Sequence, residues 1–155
     1  MIQLNAGDKA PDFKTQDQDG NTVSLKDFKG QRVAIFFYPE DDTPTCTIEA
    51  CNLRDNFAAL KNEDITVLGI SPDDVAKHKK FEEKYTLPFT LLTDTDLKIA
   101  NKYGVWGEKN LYGHKFMGIK RTTFLIDEAG KIAHIIKQVR SKNHTEQILK
   151  LWKKA

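Results

Sequence analysis

Two cysteines occur in the chain, Cys46 and Cys51. Cys46 closes the stretch Pro39-Glu-Asp-Asp-Thr43-Pro44-Thr45-Cys46. Thr43 is a residue type favoured at a helix N-cap, and Pro44 suits the first helical position. Cys46 then falls at the third helical position, inside the first turn. Amide N–H groups there lack intrahelical partners, and the positive end of the helix dipole adds to them. A thiol held in that place loses its proton more readily, and the thiolate is the reactive form. The spacing therefore predicts an activated sulfur at a helix start, with a second sulfur five residues on.

The elements that must position this pair are legible from hydrophobic patterning. Asp12 to Leu25 alternates around Asp19-Gly20 and reads as an N-terminal β-hairpin. Asp17 and Asp19 within it read as a plain turn, since the further ligands of a calcium loop are missing. Val33-Ala-Ile-Phe-Phe-Tyr38 is a continuous apolar run ending at Pro39 and reads as a central buried strand, with Phe37 and Tyr38 packing. The cysteine helix is expected from Pro44 to Leu60. Ile65 to Ile70 is a second buried strand. Ser71-Pro72-Asp73-Asp74 is expected to open a helix running to Tyr85. Phe89 to Thr93 is a third strand, and Asp94 to Tyr103 a helix stopped by Gly104.

Val105 to Gly118, rich in glycine and aromatics, reads as a long functional loop. Trp106 and Tyr112 within it are expected to cover the core; the other reading has them line a pocket or docking surface. Thr122–Ile126 and Ile132–Ile136 read as a hairpin, and Asn143-His-Thr-Glu146 as a capping-box start to a last helix. Strands alternating with helices predict an α/β fold with parallel strands in the centre, completed as a thioredoxin-like arrangement. Sites in such sheets lie at the carboxyl ends of strands, where Tyr38 leads to Cys46.

Composition narrows the function classes. The 155 residues are 39% hydrophobic and 30% charged, with a net charge of +2, a balance that fits one globular domain over residues 1–155. The basic segments Lys77-His78-Lys79-Lys80 and Lys153-Lys154 are expected on solvated faces, so no nucleic-acid partner is expected. No apolar run approaches the roughly 18 residues that cross a bilayer, so no membrane partner is expected. Met1 to Asp8 lacks a basic start followed by an apolar core, so no secretory signal is expected. Two cysteines without an export signal point to a reducing, cytoplasmic setting, where such a pair is more often catalytic than structural. His78, His114, His134 and His144 are scattered without ligand spacing, so no metal is expected.

Pro39, Thr43 and Cys46 form the pattern Pro-x-x-x-Thr-x-x-Cys, which resembles the active-site signature of the peroxiredoxins. The resemblance extends over nearly the whole chain, through Asn5 to Phe13, Phe37-Tyr38-Pro39, Asp42-Thr43-Pro44, Glu49 to Asp55 and Arg121 to Asp127. The cysteine at plus five resembles the bacterioferritin comigratory protein/PrxQ subfamily. One departure is Thr45, where the subfamily usually has glycine. The resemblance implies that Cys46 is the peroxidatic cysteine, oxidised by a peroxide to a sulfenic acid, and that Cys51 is the resolving cysteine of an intramolecular disulfide. It further implies recycling by thioredoxin or a similar dithiol, and no cofactor. An intramolecular resolving cysteine makes a partner subunit unnecessary, which favours a monomer.

The same resemblance implies roles for four more residues. Thr43 and Arg121 would stabilise charge on the departing peroxide oxygen. Arg121 would also favour the thiolate. Pro39 would shield the sulfur from water, and Glu49 would orient the arginine. Glu40, Asp41, Asp42 and Glu49 oppose this, since uncompensated acids beside Cys46 raise its pKa. Arg54 and Asp55 read equally as a helix-surface pair or part of the site.

The cysteine spacing adds a constraint. Five residues of ideal helix separate two Cα atoms by roughly 8.7 Å. A disulfide requires about 7 Å or less, so an intact helix keeps the two sulfurs apart. Two other readings of the pair are a thioredoxin-like disulfide reductase, weakened by the absence of Cys-x-x-Cys, and a redox-sensing interaction protein.

Overall fold

The computed structural model describes residues 4–152, and the Lys153-Lys154 pair lies outside the described residues. Asp17 bends the chain early: its Oδ1 accepts the N–H groups of Asp19 and Asn21, and Gly20 takes φ +79°, a conformation open to glycine. This turn joins β1 (Lys14–Gln16) to antiparallel β2 (Thr22–Ser24). The expected hairpin is therefore present, as a plain turn. There follow β3 (Arg32–Phe37), α1 (Pro44–Asp55), α2 (Phe57–Asn62), β4 (Ile65–Ser71), α3 (Val75–Tyr85) and β5 (Thr90–Thr93). The chain continues through α4 (Lys98–Lys102), β6 (Trp106–Leu111), β7 (His114–Ile119), β8 (Thr122–Ile126), β9 (Ile132–Ile136) and α5 (His144–Trp152).

Five strands form the central sheet in the order β5-β4-β3-β8-β9. β3, β4 and β5 run parallel, whereas β8 is antiparallel to β3 and β9. The sheet is mixed and flanked by helices, as a thioredoxin-like fold requires. β3 explains its own composition: Val33, Ile35 and Phe37 enter one core with Leu68, Leu92, Phe124 and Tyr103. Ala34, Phe36 and Tyr38 enter the other with Leu53, Phe81, Ile148 and Cys46. A strand buried on both faces has no polar side to show, hence the unbroken apolar run. Among the described residues no helix is long and apolar enough to cross a membrane.

Several local expectations are corrected by the structure. The cysteine helix does not run to Leu60; it breaks at Asn56 (φ −112°, ψ 18°). The Asn56 side chain donates to the Asn52 carbonyl (2.8 Å), the local bonding that makes asparagine a poor helix interior. Ser71 and Pro72 do not open α3. Ser71 stays in β4 because it pairs with Thr93, and Asp74 caps the helix by accepting from the Lys77 N–H (2.8 Å). The helix expected from Asp94 shrinks to Lys98–Lys102, with Asp94 capping from a distance through the amides of Ile99 and Ala100.

The expected loop from Val105 to Gly118 is largely the hairpin β6–β7. Tyr112 (φ 52°) and Gly113 (φ 81°) form its two-residue turn, the left-handed pair that fits the strand twist. Tyr112 is fully exposed at the tip and covers no core, whereas Trp106 at the root packs against it. α5 starts after a 3₁₀ turn over Ser141–Asn143, not on a box at Asn143. Its first-turn amide, Thr145 N–H, is capped by Asn52 Oδ1 of α1 (2.8 Å).

Gly69 lies where β4 passes under Phe36. A Cβ there would sit 2.7 Å from Phe36 Cζ and 3.0 Å from Leu91 Cδ2, and Phe36 is itself stacked on Tyr38. Gly69→Ala should lower stability by about 1–3 kcal/mol through overpacking, read as a reduced urea midpoint at constant slope.

Candidate active site

At the carboxyl end of β3 the chain turns through residues 39–43 into α1, and a hydrogen-bond network fixes that turn. Buried Tyr38 donates its hydroxyl to Asp41 Oδ1 (2.6 Å), and Asp41 Oδ2 lies 2.6 Å from His78 Nδ1. His78 Nε2 faces the Leu92 carbonyl (2.9 Å). The Asp41 N–H donates to Asp73 Oδ2 (2.7 Å), as does the Ser71 hydroxyl (2.6 Å). Burial first, then Asp41, raises the Tyr38 hydroxyl well above its ordinary range. His78 was expected on a solvated face; it has no exposure, because α3 turns it inward under this loop. Ligand atoms of Asp41, Asp73 and His78 lie within 4.8 Å of one another, but each is occupied in this network, with Lys77 on Asp73 Oδ1.

The acids near Cys46 are all paired. Glu40 meets Lys77 (2.7 Å), Asp41 meets His78 and Asp42 meets Lys84 (2.7 Å). Asp42 also accepts from the Tyr85 hydroxyl (2.6 Å), and the Lys84 and Tyr85 hydrogen bonds hold its carboxyl below the usual range. Glu49 meets Arg121 (2.6 Å). Each of the four acids expected to oppose the thiolate thus has a basic side chain against it.

Thr43 holds the extended backbone of a cap (φ −86°, ψ 158°) and Pro44 opens α1, but no side-chain cap bond forms. The Thr43 hydroxyl instead donates to the Glu40 carbonyl (3.3 Å), which leaves the first-turn amides without that partner. Cys46 stands in this turn, 2% exposed. Thr45 beside it is exposed, so its branched side chain meets solvent where the subfamily has glycine. Pro39 is half-buried at the end of β3.

Arg121 joins the group from the junction of β7 and β8. Its Nη2 donates to Cys46 Sγ (3.2 Å) and its Nη1 to Glu49 Oε1 (2.6 Å). Burial opposes the Arg121 charge, but Glu49 and Cys46 outweigh it and raise its pKa. Glu49 has no exposure, and burial pushes its carboxyl up to about 7 despite the lowering pull of Arg121. Its Oε2 lacks a hydrogen-bond partner and lies 3.4 Å from His144 Nε2. His144 is also fully buried, and desolvation pulls it down to about 4. Lys109 of β6 is the further cation near Arg121; burial, then Arg121, lowers its pKa.

The structure thus joins Cys46, Glu49 and Arg121, with Pro39 and Thr43 in the adjoining turn. Cys51 is half-buried in the same intact helix, and both cysteines are free. Arg54 bonds Asp55 and the Tyr85 carbonyl, tying α1 to the end of α3. Sequence reasoning missed His78, His144 and Lys109. An isolated histidine carries no local sign of burial, and Lys109 lay in a segment without periodicity.

Known proteins resemble this chain over nearly its whole length. The AhpC/TSA family matches residues 6–135. Peroxiredoxin Bcp of Escherichia coli (strain K12) is 49% identical over 149 residues, 96% of each chain. The chain belongs to the AhpC/TSA family. Within it, this peroxiredoxin is of the bacterioferritin comigratory protein/PrxQ type, and as a peroxiredoxin it is a peroxidase, an oxidoreductase. Peroxiredoxin Bcp of Bacillus subtilis (strain 168) is 42% identical over 98% of this chain and 97% of its own. The crystal structure of peroxidoxin BcpB from Mycobacterium tuberculosis superposes with a TM-score of 0.85 at 34% identity, over 96% of each chain. Xanthomonas campestris bacterioferritin comigratory protein gives 0.88 at 29%, over 96% of this chain and 98% of its own.

Glu49 and His144 make opposite contributions to stability. Folded Glu49 keeps its proton to about 7 rather than the ordinary 4.5, so its share of stability falls as pH rises through that window. Folded His144 releases its proton near 4 rather than 6.5, so its share rises over that range. The two offset each other. Glu49→Gln should leave only the His144 share, so stability relative to wild type should climb from pH 4.5 to 6.5 by up to about 3 kcal/mol. Urea unfolding across that range checks it; parallel profiles would exclude it.

Proposed function

We propose that this peroxiredoxin reduces hydrogen peroxide and organic hydroperoxides with Cys46 as the peroxidatic cysteine. The observation that carries the reading is the Arg121 guanidinium 3.2 Å from a buried Sγ in a helix first turn. Two positive sources, guanidinium and helix start, favour the thiolate there. The thiolate attacks one peroxide oxygen and the O–O bond breaks. The sulfur becomes a sulfenic acid, and the departing oxygen leaves as water or an alcohol once protonated. Arg121 and the first-turn amides serve the developing negative charge, and the Thr43 hydroxyl joins them by turning its proton from the Glu40 carbonyl. Pro39 screens the sulfur, and Glu49 holds Arg121 in line. The Xanthomonas campestris relative is described for alkyl peroxide reduction activity, which supports the organic part of the substrate range.

Cys51 then resolves the intermediate: its thiol displaces the sulfenic oxygen as water and a Cys46–Cys51 disulfide forms. Thioredoxin or a similar dithiol reduces it, and no bound cofactor enters the cycle. In this scheme residues 1–155 act as one domain, as a monomer, in the cytoplasm. Both sulfurs lie on the continuous helix α1, and ideal helix geometry holds their Cα atoms about 8.7 Å apart, beyond disulfide reach. The first turns of α1 therefore unwind before resolution. Thr45, Cys46, Thr47 and Ile48 there are mediocre helix formers. Beyond Cys51 the helix is anchored, since Asn52 bonds Lys142 O and Thr145 N (2.7 and 2.8 Å).

With stoichiometric hydrogen peroxide, wild type should lose thiols rapidly and form an internal disulfide. Cys46→Ser should abolish the fast reaction, and Cys51→Ser should trap a sulfenic acid. A wild-type rate no faster than free cysteine would refute the peroxidase reading. Hydrogen exchange on the oxidised protein should show lost protection from Thr47 to Asp55, whose amides bond carbonyls up to Cys51, with the Asn56 amide on the Asn52 carbonyl still protected; an undisturbed helix through both cysteines would refute unwinding.

A further inference from the structure

Gln147 fixes the tautomer of the buried His144 behind Arg121. Its Oε1 accepts the Arg140 N–H (2.8 Å) and its Nε2 donates to the Gln138 carbonyl (3.0 Å), so its amide orientation is fixed. Oε1 therefore also faces His144 Nδ1 as an acceptor (3.2 Å), and Nδ1 carries a proton. His144 Nε2 faces Thr123 Oγ1 at 2.8 Å and Glu49 Oε2 at 3.4 Å. Without a further proton, Thr123 would donate to the Nε2 lone pair. Glu49 Oε2 would then be an ionised oxygen with no donor, at zero exposure. Such a group is strongly disfavoured in a protein interior. One more proton, on Oε2 or on Nε2 3.4 Å away, either neutralises that oxygen or sets a cation beside it.

We propose that Glu49 and His144 hold one proton between them and, being jointly neutral, leave the charge of Arg121 to the Cys46 thiolate. This rests on the reading of Cys46 as the reactive sulfur. The groups that face the pair come from every neighbouring element: Cys46 on α1, Arg121 before β8, Thr123 on β8 and Gln147 on α5, with Lys109 of β6 beyond Arg121. Arg121 lies between Glu49 Oε1 and Cys46 Sγ. If Glu49 is a bare carboxylate, the guanidinium is divided between two anions. If the pair keeps its proton, the sulfur is the one full negative charge Arg121 touches. Burial raises the carboxyl of Glu49 and lowers the imidazole of His144, the directions expected of a jointly neutral pair. His144 is thus a positioning residue, acting on the sulfur through Glu49 and Arg121.

The test is the pH dependence of Cys46 alkylation by iodoacetamide in a Cys51→Ser background, which reads ionisation of one thiol without peroxide. His144→Gln offers Glu49 an amide donor in place of the shared proton, so the carboxylate should claim Arg121. The alkylation midpoint should then rise by about one pH unit, tenfold slower alkylation below it. Adding Glu49→Gln, which still accepts from Arg121, should return the midpoint to its starting value. Glu49→Gln alone should leave it nearly unmoved, and this arm stands even if the His144 variant fails to fold. An unshifted midpoint in His144→Gln, a shift that persists in the double variant, or a fall of a unit or more in Glu49→Gln each overturns the proposal. Such a result in a protein that still consumes peroxide would leave the peroxidase reading standing.

Discussion

One guanidinium holds this site together. Arg121 bonds the Cys46 sulfur with one amino group and the buried Glu49 carboxyl with the other. A planar fork can make both bonds at once and keeps its charge in partial burial, where a lysine does neither as well. The sheet puts Arg121 in reach. Thr122 pairs with Phe37 across the antiparallel β3–β8 ladder, so the residue before Thr122 lies beside the end of β3. That is where the chain leaves the sheet for α1. A register slip of one residue would send alternate side chains to the opposite face and separate the charge from the sulfur.

The loop ahead of Cys46 is rich in acids, which by themselves oppose a thiolate. A distant element answers each of them: α3 supplies Lys77, His78 and Lys84. The same bonds that neutralise the loop also fix its path, including the left-handed backbone of Asp42 at φ 62°. Charge compensation and loop geometry are therefore one arrangement. Exposed pairs such as Glu40 with Lys77 add little stability alone, so the weight falls on the buried bonds of Tyr38, Asp41 and His78.

α1 has two demands on it that conflict. As a helix it sets Cys46 in a first turn whose amides lack intrahelical partners, and as a helix it keeps Cys51 out of reach. In the proposed cycle the conflict is met by unequal anchoring. The first turns hold through Cys46 and Ala50 in the core and through the Glu49–Arg121 pair. The part after Cys51 is bound on two sides, by Asn52 to the start of α5 and by Arg54 to the end of α3.

The sequence by itself determined the strands of the sheet, the helix start at Pro44 and the two cysteines upon it. These follow from local causes: apolar runs, the fixed φ of proline, and spacing along one segment. Its wider likeness to the peroxiredoxins also pointed to Arg121 and Glu49 before their contacts were visible. Apart from the helix end at Asn56, what it misread had non-local causes. Asn52 caps α5 from another helix, sheet pairing draws Ser71 into β4, and β6–β7 forms without apolar alternation, as most of its residues face solvent. The histidines were the largest gap. Nothing adjacent to His78 or His144 shows that either is buried, because burial is decided by chain segments many residues away. Only the tertiary structure brings His78 to Asp41 and His144 to Glu49, because the partners come together through packing of separate elements.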